Sequence, residues 1–213
     1  MRTCPQPLAC IRFVAVRAVA IAVTAAFGCS KPSSDKMAPE SRSARSMQDT
    51  EPGSAHDLRN GPTLRSSAFS DGGEIPARYT CTGKNVSPPL AWSDVPNGTE
   101  SFALIIDDPD APDPKAPQRV WVHWVVFNLP ATTTALPEAV KPLPEPAKQG
   151  LNDWKRAAYG GPCPPIGRHR YFHKLYALDT LLSLDVPTKA DLEKAMQGHV
   201  LGRAELVATY QKP

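Results

Sequence analysis

The sequence predicts a mainly β protein, an antiparallel β-sandwich or barrel with few helices. Three observations carry that expectation. The 213-residue chain holds 24 prolines and many Gly, Asn and Asp turn residues, which cut it into short segments. Several of these segments are β-branched, aromatic or alternating, as strands are. Only one carries a full helix signature.

The N-terminal third stands apart from that fold. Residues 1–28 read as an export signal: Arg2, Arg12 and Arg17 flank an apolar run over 18–28 that ends in small residues. The run is well short of the ~20 residues that span a bilayer. Cys29 follows it directly, and Ala26-Phe27-Gly28-Cys29 resembles a bacterial lipoprotein box. The box departs from the usual pattern in having Ala26 where Leu is common and a bulky Phe27. Cys29 is thus a candidate for lipidation, with ordinary signal cleavage as the alternative. Residues 29–61 are rich in Ser, Pro and charged residues and have no aromatic, so they cannot bury enough apolar surface to offset ordering. They read as a disordered tether. Residues 62–213 are then one folded domain of ordinary size.

Within that domain, 63–69 alternates loosely and reads as a strand. Residues 101–107 are a near-continuous apolar run, as in a strand covered on both faces. Residues 120–128 are β-branched and aromatic with His123 embedded. In 170–178, Tyr171, His173, Leu175 and Ala177 share one face, and Phe172, Lys174, Tyr176 and Leu178 share the other. Residues 204–210 read as a terminal strand. The helix begins at Thr188 as N-cap, with Asp191 three residues on and Leu192, Ala195 and Met196 in helical spacing before Gly198. A weaker helix is expected over 149–158.

The net charge of +3 is not a nucleic-acid signature. The three signal arginines account for the whole excess, and no basic run is interleaved with aromatics. Of the five cysteines, Cys4 and Cys10 lie in the signal and Cys29 at its end. Cys81 and Cys163 remain as an even pair in an oxidising compartment, where a disulfide or two buried thiols are the alternatives.

The chemistry-bearing residues fall in three groups. Asp108-Pro109-Asp110 follows an apolar strand, so its carboxylates are expected at a strand end or in a turn. His123, among Trp121, Val122, Trp124 and Val125, needs partners for its ring nitrogens, and a carboxylate from the preceding loop is a natural one that would favour the protonated ring. The segment from Gly160 to Tyr171 offers glycines for close backbone approach, stiffening prolines, backbone N–H groups able to form an anion nest, His169 and a phenol. Metal binding by His123, His169 and His173 is disfavoured, because no HxH, HExxH or CxxC spacing occurs. Hydrolysis is disfavoured too, since no GxSxG elbow marks a serine. No cofactor is implied.

These motifs, taken in order, resemble the phosphatidylethanolamine-binding protein family, on its bacterial side the Raf-kinase-inhibitor-like proteins. They are Asn85-Val86-Ser87-Pro88-Pro89-Leu90-Ala91-Trp92, Asp108-Pro109-Asp110-Ala111-Pro112, Trp121-Val122-His123, Gly161-Pro162-Cys163-Pro164-Pro165, His169-Arg170-Tyr171 and Leu175-Tyr176-Ala177-Leu178-Asp179. The resemblance covers residues 62–211. It implies two antiparallel sheets with a few peripheral helices and a small anion pocket at one end. The pocket residues it implies are Asp108, Asp110, His123, Pro162, His169 and Tyr171, lined by the Gly161 region, and it implies a cis bond at Arg119–Val120.

The expected function is therefore binding of a small anionic ligand, such as a phosphate ester or phospholipid head group, by an exported protein that is not an enzyme. An inhibitor or regulator of a protease or other envelope protein is the alternative, and a hydrolase is third. The expected location is the periplasmic face of a bacterial outer membrane through lipidated Cys29, or the soluble periplasm without lipid. In the expected site, His123 and His169 converge, and Asp108 or Asp110 accepts from one imidazole. The other ring nitrogen, the Tyr171 hydroxyl and N–H groups near Gly161 then face the ligand. Affinity is expected to fall as pH rises through the histidine pKa. His169→Ala is expected to weaken binding and spare the fold.

Overall fold

The computed structural model describes residues 61–213. The signal, Cys29 and the tether through residue 60 lie outside them. Eight strands and one α-helix follow in order: β1 (Thr63–Arg65), β2 (Leu90–Ser93), β3 (Ser101–Ala111), β4 (Arg119–Pro130), β5 (Ala135–Leu136), β6 (Lys148–Gln149), β7 (Arg168–Leu178), α1 (Lys189–Ala195) and β8 (Val200–Gln211). β1, β2 and β5 form a three-stranded sheet in the order β1-β2-β5. The others form a five-stranded sheet in the order β6-β4-β3-β7-β8. All these pairings are antiparallel.

Strand alternation explains the layering. Phe102, Leu104 and Ile106 of β3 join Trp124, Val126, Tyr171, Leu175 and Leu206 in one core, which also takes Leu64, Leu90, Trp92 and Leu136 of the small sheet. The alternate residues Ala103 and Ile105 face the other way and pack with Val125, Phe127, Leu178 and, from α1, Leu192. A central strand buried on both faces needs the continuous apolar run seen in the sequence. α1 starts with a capping box: the Thr188 hydroxyl accepts from the Asp191 N–H while the Asp191 carboxylate accepts from the Thr188 N–H. Its Lys189, with Lys174 of β7, contacts the buried Asp107 carboxylate at 2.8 Å.

Three expectations need correction, and one open alternative is decided. The first strand ends at Arg65 rather than at residue 69. The 149–158 segment is not a helix. Asn152 takes its place as an organiser: its Oδ1 accepts from the Arg156 N–H at 3.1 Å, and its Nδ2 donates to the Ala158 carbonyl at 2.8 Å. Such side-chain bonds offer the backbone an alternative to helix. Of the two placements open for Asp108-Pro109-Asp110, the strand end holds: the motif is the last part of β3, at a shift in register between Asp108 and Ala111. Proline is tolerated there because a bulge leaves a ladder position unpaired. Finally, Arg119–Val120 is trans. The cis bond in this corner is Ala111–Pro112, opposite it in the β3–β4 pair, where the tertiary amide nearly removes the trans preference. Cys81 and Cys163 are joined by a disulfide with Cα atoms 5.4 Å apart.

Candidate functional site

The site sits where β3, β4 and β7 reach one end of the large sheet. Arg119, Trp121 and His123 occupy alternate positions of β4 and so share a face. Asp108 comes from β3 opposite Trp121, and His169 and Tyr171 come from β7. The 152–156 turn closes one side, because Asp153 pairs both ways with the backbone of Val122: its carboxylate accepts from the Val122 N–H, and its own N–H donates to the Val122 carbonyl. That places the Trp154 ring 5.2 Å from those of Trp121 and His123. The Cys163-Pro164-Pro165 segment closes the other side. Together they enclose a cavity of about 310 Å³, lined also by Ala111 and Pro112.

The two histidines do converge. Both line this cavity, and their rings lie 5.2 and 6.4 Å from that of Tyr171. They are wired differently. His123 Nδ1 lies 2.6 Å from the Gly160 carbonyl. A carbonyl only accepts, so Nδ1 carries the proton and Nε2 carries a lone pair. Burial pulls the His123 pKa down to about 4, so the ring is neutral at pH 7. Its Nε2 is buried with no partner. The expected carboxylate on His123 is therefore corrected: its partner is a backbone carbonyl.

The carboxylate belongs to His169. Asp108 Oδ2 is 2.7 Å from His169 Nδ1, and Asp108 Oδ1 accepts from the Asp110 N–H. His169 Nε2 donates to the Ile166 carbonyl at 3.0 Å. Neither His169 nitrogen is free for a ligand. Burial raises the Asp108 pKa, against the opposing pull of the His169 bond.

Asp110 has a different task. Its carboxylate takes the Arg170 N–H, Nε and Nη2 at 2.9, 2.9 and 2.6 Å, and these bonds lower its pKa. Asp110 ties β3 to β7 beside the cavity and does not line it. Tyr171 is fully buried, its hydroxyl has no partner, and burial raises its pKa. It sits against both imidazoles rather than among the lining residues. The Gly161 region does not form the expected nest. The Gly160 N–H donates to the His123 carbonyl, and the Gly161 N–H donates to Asn85 Oδ1. Gly161 lines a smaller neighbouring cavity, and the Pro162 carbonyl accepts from the Cys81 N–H.

Several lining residues were missed in the sequence. Arg119 and Trp121 were legible, since they precede His123 at period two on an alternating strand. The Arg119 guanidinium lies 4.3 Å over the Trp121 ring, held by cation–π attraction. Trp154 was hidden by the mistaken helix. Arg170, which does not line the cavity but holds Asp110 beside it, was visible only as part of a motif. A larger hollow of about 690 Å³ is lined by the 139–149 segment, and neither His123 nor Tyr171 lines it. Among the described residues, no cluster of His, Cys, Asp or Glu is disposed to hold a metal ion.

Comparison with known proteins agrees with this architecture. The profile described as phosphatidylethanolamine-binding protein matches residues 65–211. A UPF0098 protein of Methanothermobacter thermautotrophicus is 52% identical over 153 residues, covering 70% of this chain and 98% of the relative. One from Chlamydia pneumoniae is 45% identical, covering 70% and 98%. The crystal structure of a putative phosphatidylethanolamine-binding protein homologue, CT736 from Chlamydia trachomatis, superposes with a TM-score of 0.67 at 43% identity, covering 72% of this chain and 99% of that one. YbcL of E. coli, described as a member of the mammalian family, superposes at 0.66 with 34% identity, covering 72% and 99%. None of these relatives carries an enzyme name. The chain belongs to the phosphatidylethanolamine-binding protein family, within its UPF0098 group.

Proposed function

We propose that the cavity binds a small anionic ligand, such as a phosphate ester or a phospholipid head group. The observation that carries this reading is the unpartnered, buried His123 Nε2 on the cavity wall. An orphaned buried polar atom costs about 1–3 kcal/mol, which a ligand hydrogen bond would relieve. Arg119 supplies a cation in the lining. Trp121, Trp154 and the prolines give the cavity apolar walls, beside which a polar contact is stronger than in water.

Neutral His123 accepts rather than donates, so the ligand must bring a proton. A monoprotonated phosphate ester does so below its second pKa of about 6. Affinity is thus expected to fall with rising pH, as the sequence suggested, but because the ligand loses its proton. The reading is of a binding protein, since the lining carries no hydroxyl or free thiol. Its setting is proposed to be the bacterial envelope, tethered through lipidated Cys29 or soluble in the periplasm.

Calorimetric titration with phosphoethanolamine at pH 5.5–7.5 tests this. His123→Phe is expected to keep the fold and weaken binding by roughly tenfold or more, a loss of about 1.4 kcal/mol. Equal affinity in the two proteins would overturn the reading.

A further inference from the structure

We propose that the Cys81–Cys163 disulfide holds the cavity wall in place, so that its reduction opens the cavity and lowers ligand affinity. The affinity half of this rests on the anion-binding reading above. The structural half stands alone.

Cys163 lines two cavities at once: the candidate site, and a neighbour of about 160 Å³ lined also by Cys81, Asn85 and Gly161. The disulfide is part of the partition between them. The segment that carries it has few hydrogen-bond restraints, although Pro162 and Pro164 are buried. Pro162, Pro164 and Pro165 have no N–H to donate. From 162 to 166, the hydrogen bonds to the rest of the fold are those accepted by the Pro162 carbonyl from Cys81 and by the Ile166 carbonyl from His169. One anchor is thus at the cystine itself. The other is at the imidazole that contacts Asp108.

Cys163 is exposed, whereas Cys81 is half-buried. A dithiol reductant therefore reaches Cys163 Sγ first. Its thiolate attacks that sulfur, the sulfur–sulfur bond breaks, and Cys81 leaves as a thiolate that takes up a proton. The second thiol then attacks the mixed disulfide, frees Cys163 as a thiol, and leaves the reductant as its own disulfide. With the partition untied, Cys163–Pro165 can move away, and the Ile166 carbonyl is no longer fixed under His169. A wall that adopts its closed position about a tenth of the time lowers apparent affinity roughly tenfold.

The experiment compares the oxidised protein with the same protein reduced by dithiothreitol. Two readouts are taken: phosphoethanolamine affinity, and amide hydrogen exchange. Reduction is expected to weaken binding roughly tenfold and to speed exchange at the Gly160, Gly161 and Cys81 amides, while β3 and β7 stay protected. Reoxidation should restore both. Unchanged exchange at those three amides overturns the proposal, as does unchanged affinity where the oxidised protein binds. Loss of protection across β3 and β7 also overturns it, because the disulfide then serves the whole fold. If the oxidised protein binds no phosphoethanolamine, the anion-binding reading fails, and exchange alone decides whether the disulfide holds the wall.

Discussion

His123 and His169 look alike in the sequence, each in an apolar strand with polar neighbours, yet their surroundings give them opposite roles. His169 is saturated by Asp108 and Ile166, whereas His123 keeps one nitrogen free. His169→Ala is therefore expected to cost stability as well as affinity. It would strand a buried Asp108 carboxyl, and breaking such a pair costs about 3–5 kcal/mol. Asp110 offers a cleaner test at this scale. Its carboxylate accepts three bonds from Arg170, and its pKa is lowered chiefly by the Arg170 side chain. Asp110→Asn keeps the shape and loses the charge. Because Arg170 is more than half exposed, a modest loss of about 1–2 kcal/mol is expected at pH 7. A depressed carboxyl stabilises above its unfolded value of 3.8 and loses that contribution as pH falls. The gap between the two proteins in urea denaturation should therefore narrow below pH 4. A gap independent of pH would contradict the assignment.

At the scale of elements, the strand β3 shows what was legible and what was not. Its continuous apolar run announced burial on both faces, and both faces are buried. Its extension through Pro109 was not legible, because Asp and Pro are turn residues unless a bulge accommodates them, and the bulge depends on register with β4. The helix α1 was readable from its cap outward, since capping is local. The 152–156 turn was not, because it is set by Asn152 bonds across four to six residues and by Asp153 pairing with β4. Convergence of the two histidines followed from the family motifs, but which imidazole met Asp108 depended on strand register. The 160s segment makes its own prediction. A Cβ on Gly161 would lie 2.3 Å from the Tyr79 carbonyl oxygen and 2.6 Å from Asn85 Oδ1. Neither can yield without moving backbone or breaking the Asn85 bond. Gly161→Ala should lower stability by about 1–3 kcal/mol, as overpacking does, and weaken ligand binding with it. An unaltered melting temperature would show that the segment is more yielding than its contacts suggest.

For the whole molecule, acid is the expected weakness. His123 and His173 are both buried, and burial lowers both pKa values from 6.5 to about 4. His173 lies in the core, with its ring 5.3 Å from Phe69. Between pH 6.5 and 4 the unfolded chain binds more protons than the folded one, so stability falls as pH falls through that window. Each histidine should contribute a loss of about 2 kcal/mol between pH 7 and 5. Denaturation midpoints that do not change over that range would contradict their burial as neutral rings. The N-terminal reading is tested separately. If Cys29 carries lipid, Cys29→Ser should release the protein from membranes into the soluble fraction, and persistent membrane association would refute the anchor.

The central claim is that His123 Nε2 is the free acceptor of an anion cavity. It is tested most directly by the nitrogen-15 shift of that atom while phosphoethanolamine is added at pH 6. Before addition, Nε2 should resonate as an unprotonated imidazole nitrogen and Nδ1 as a protonated one. Saturation should move Nε2 toward the hydrogen-bonded or protonated position, leave Nδ1 on Gly160, and do so less completely at pH 7.5. An Nε2 resonance that stays in place while ligand binds would show that the anion is held elsewhere and would contradict the account.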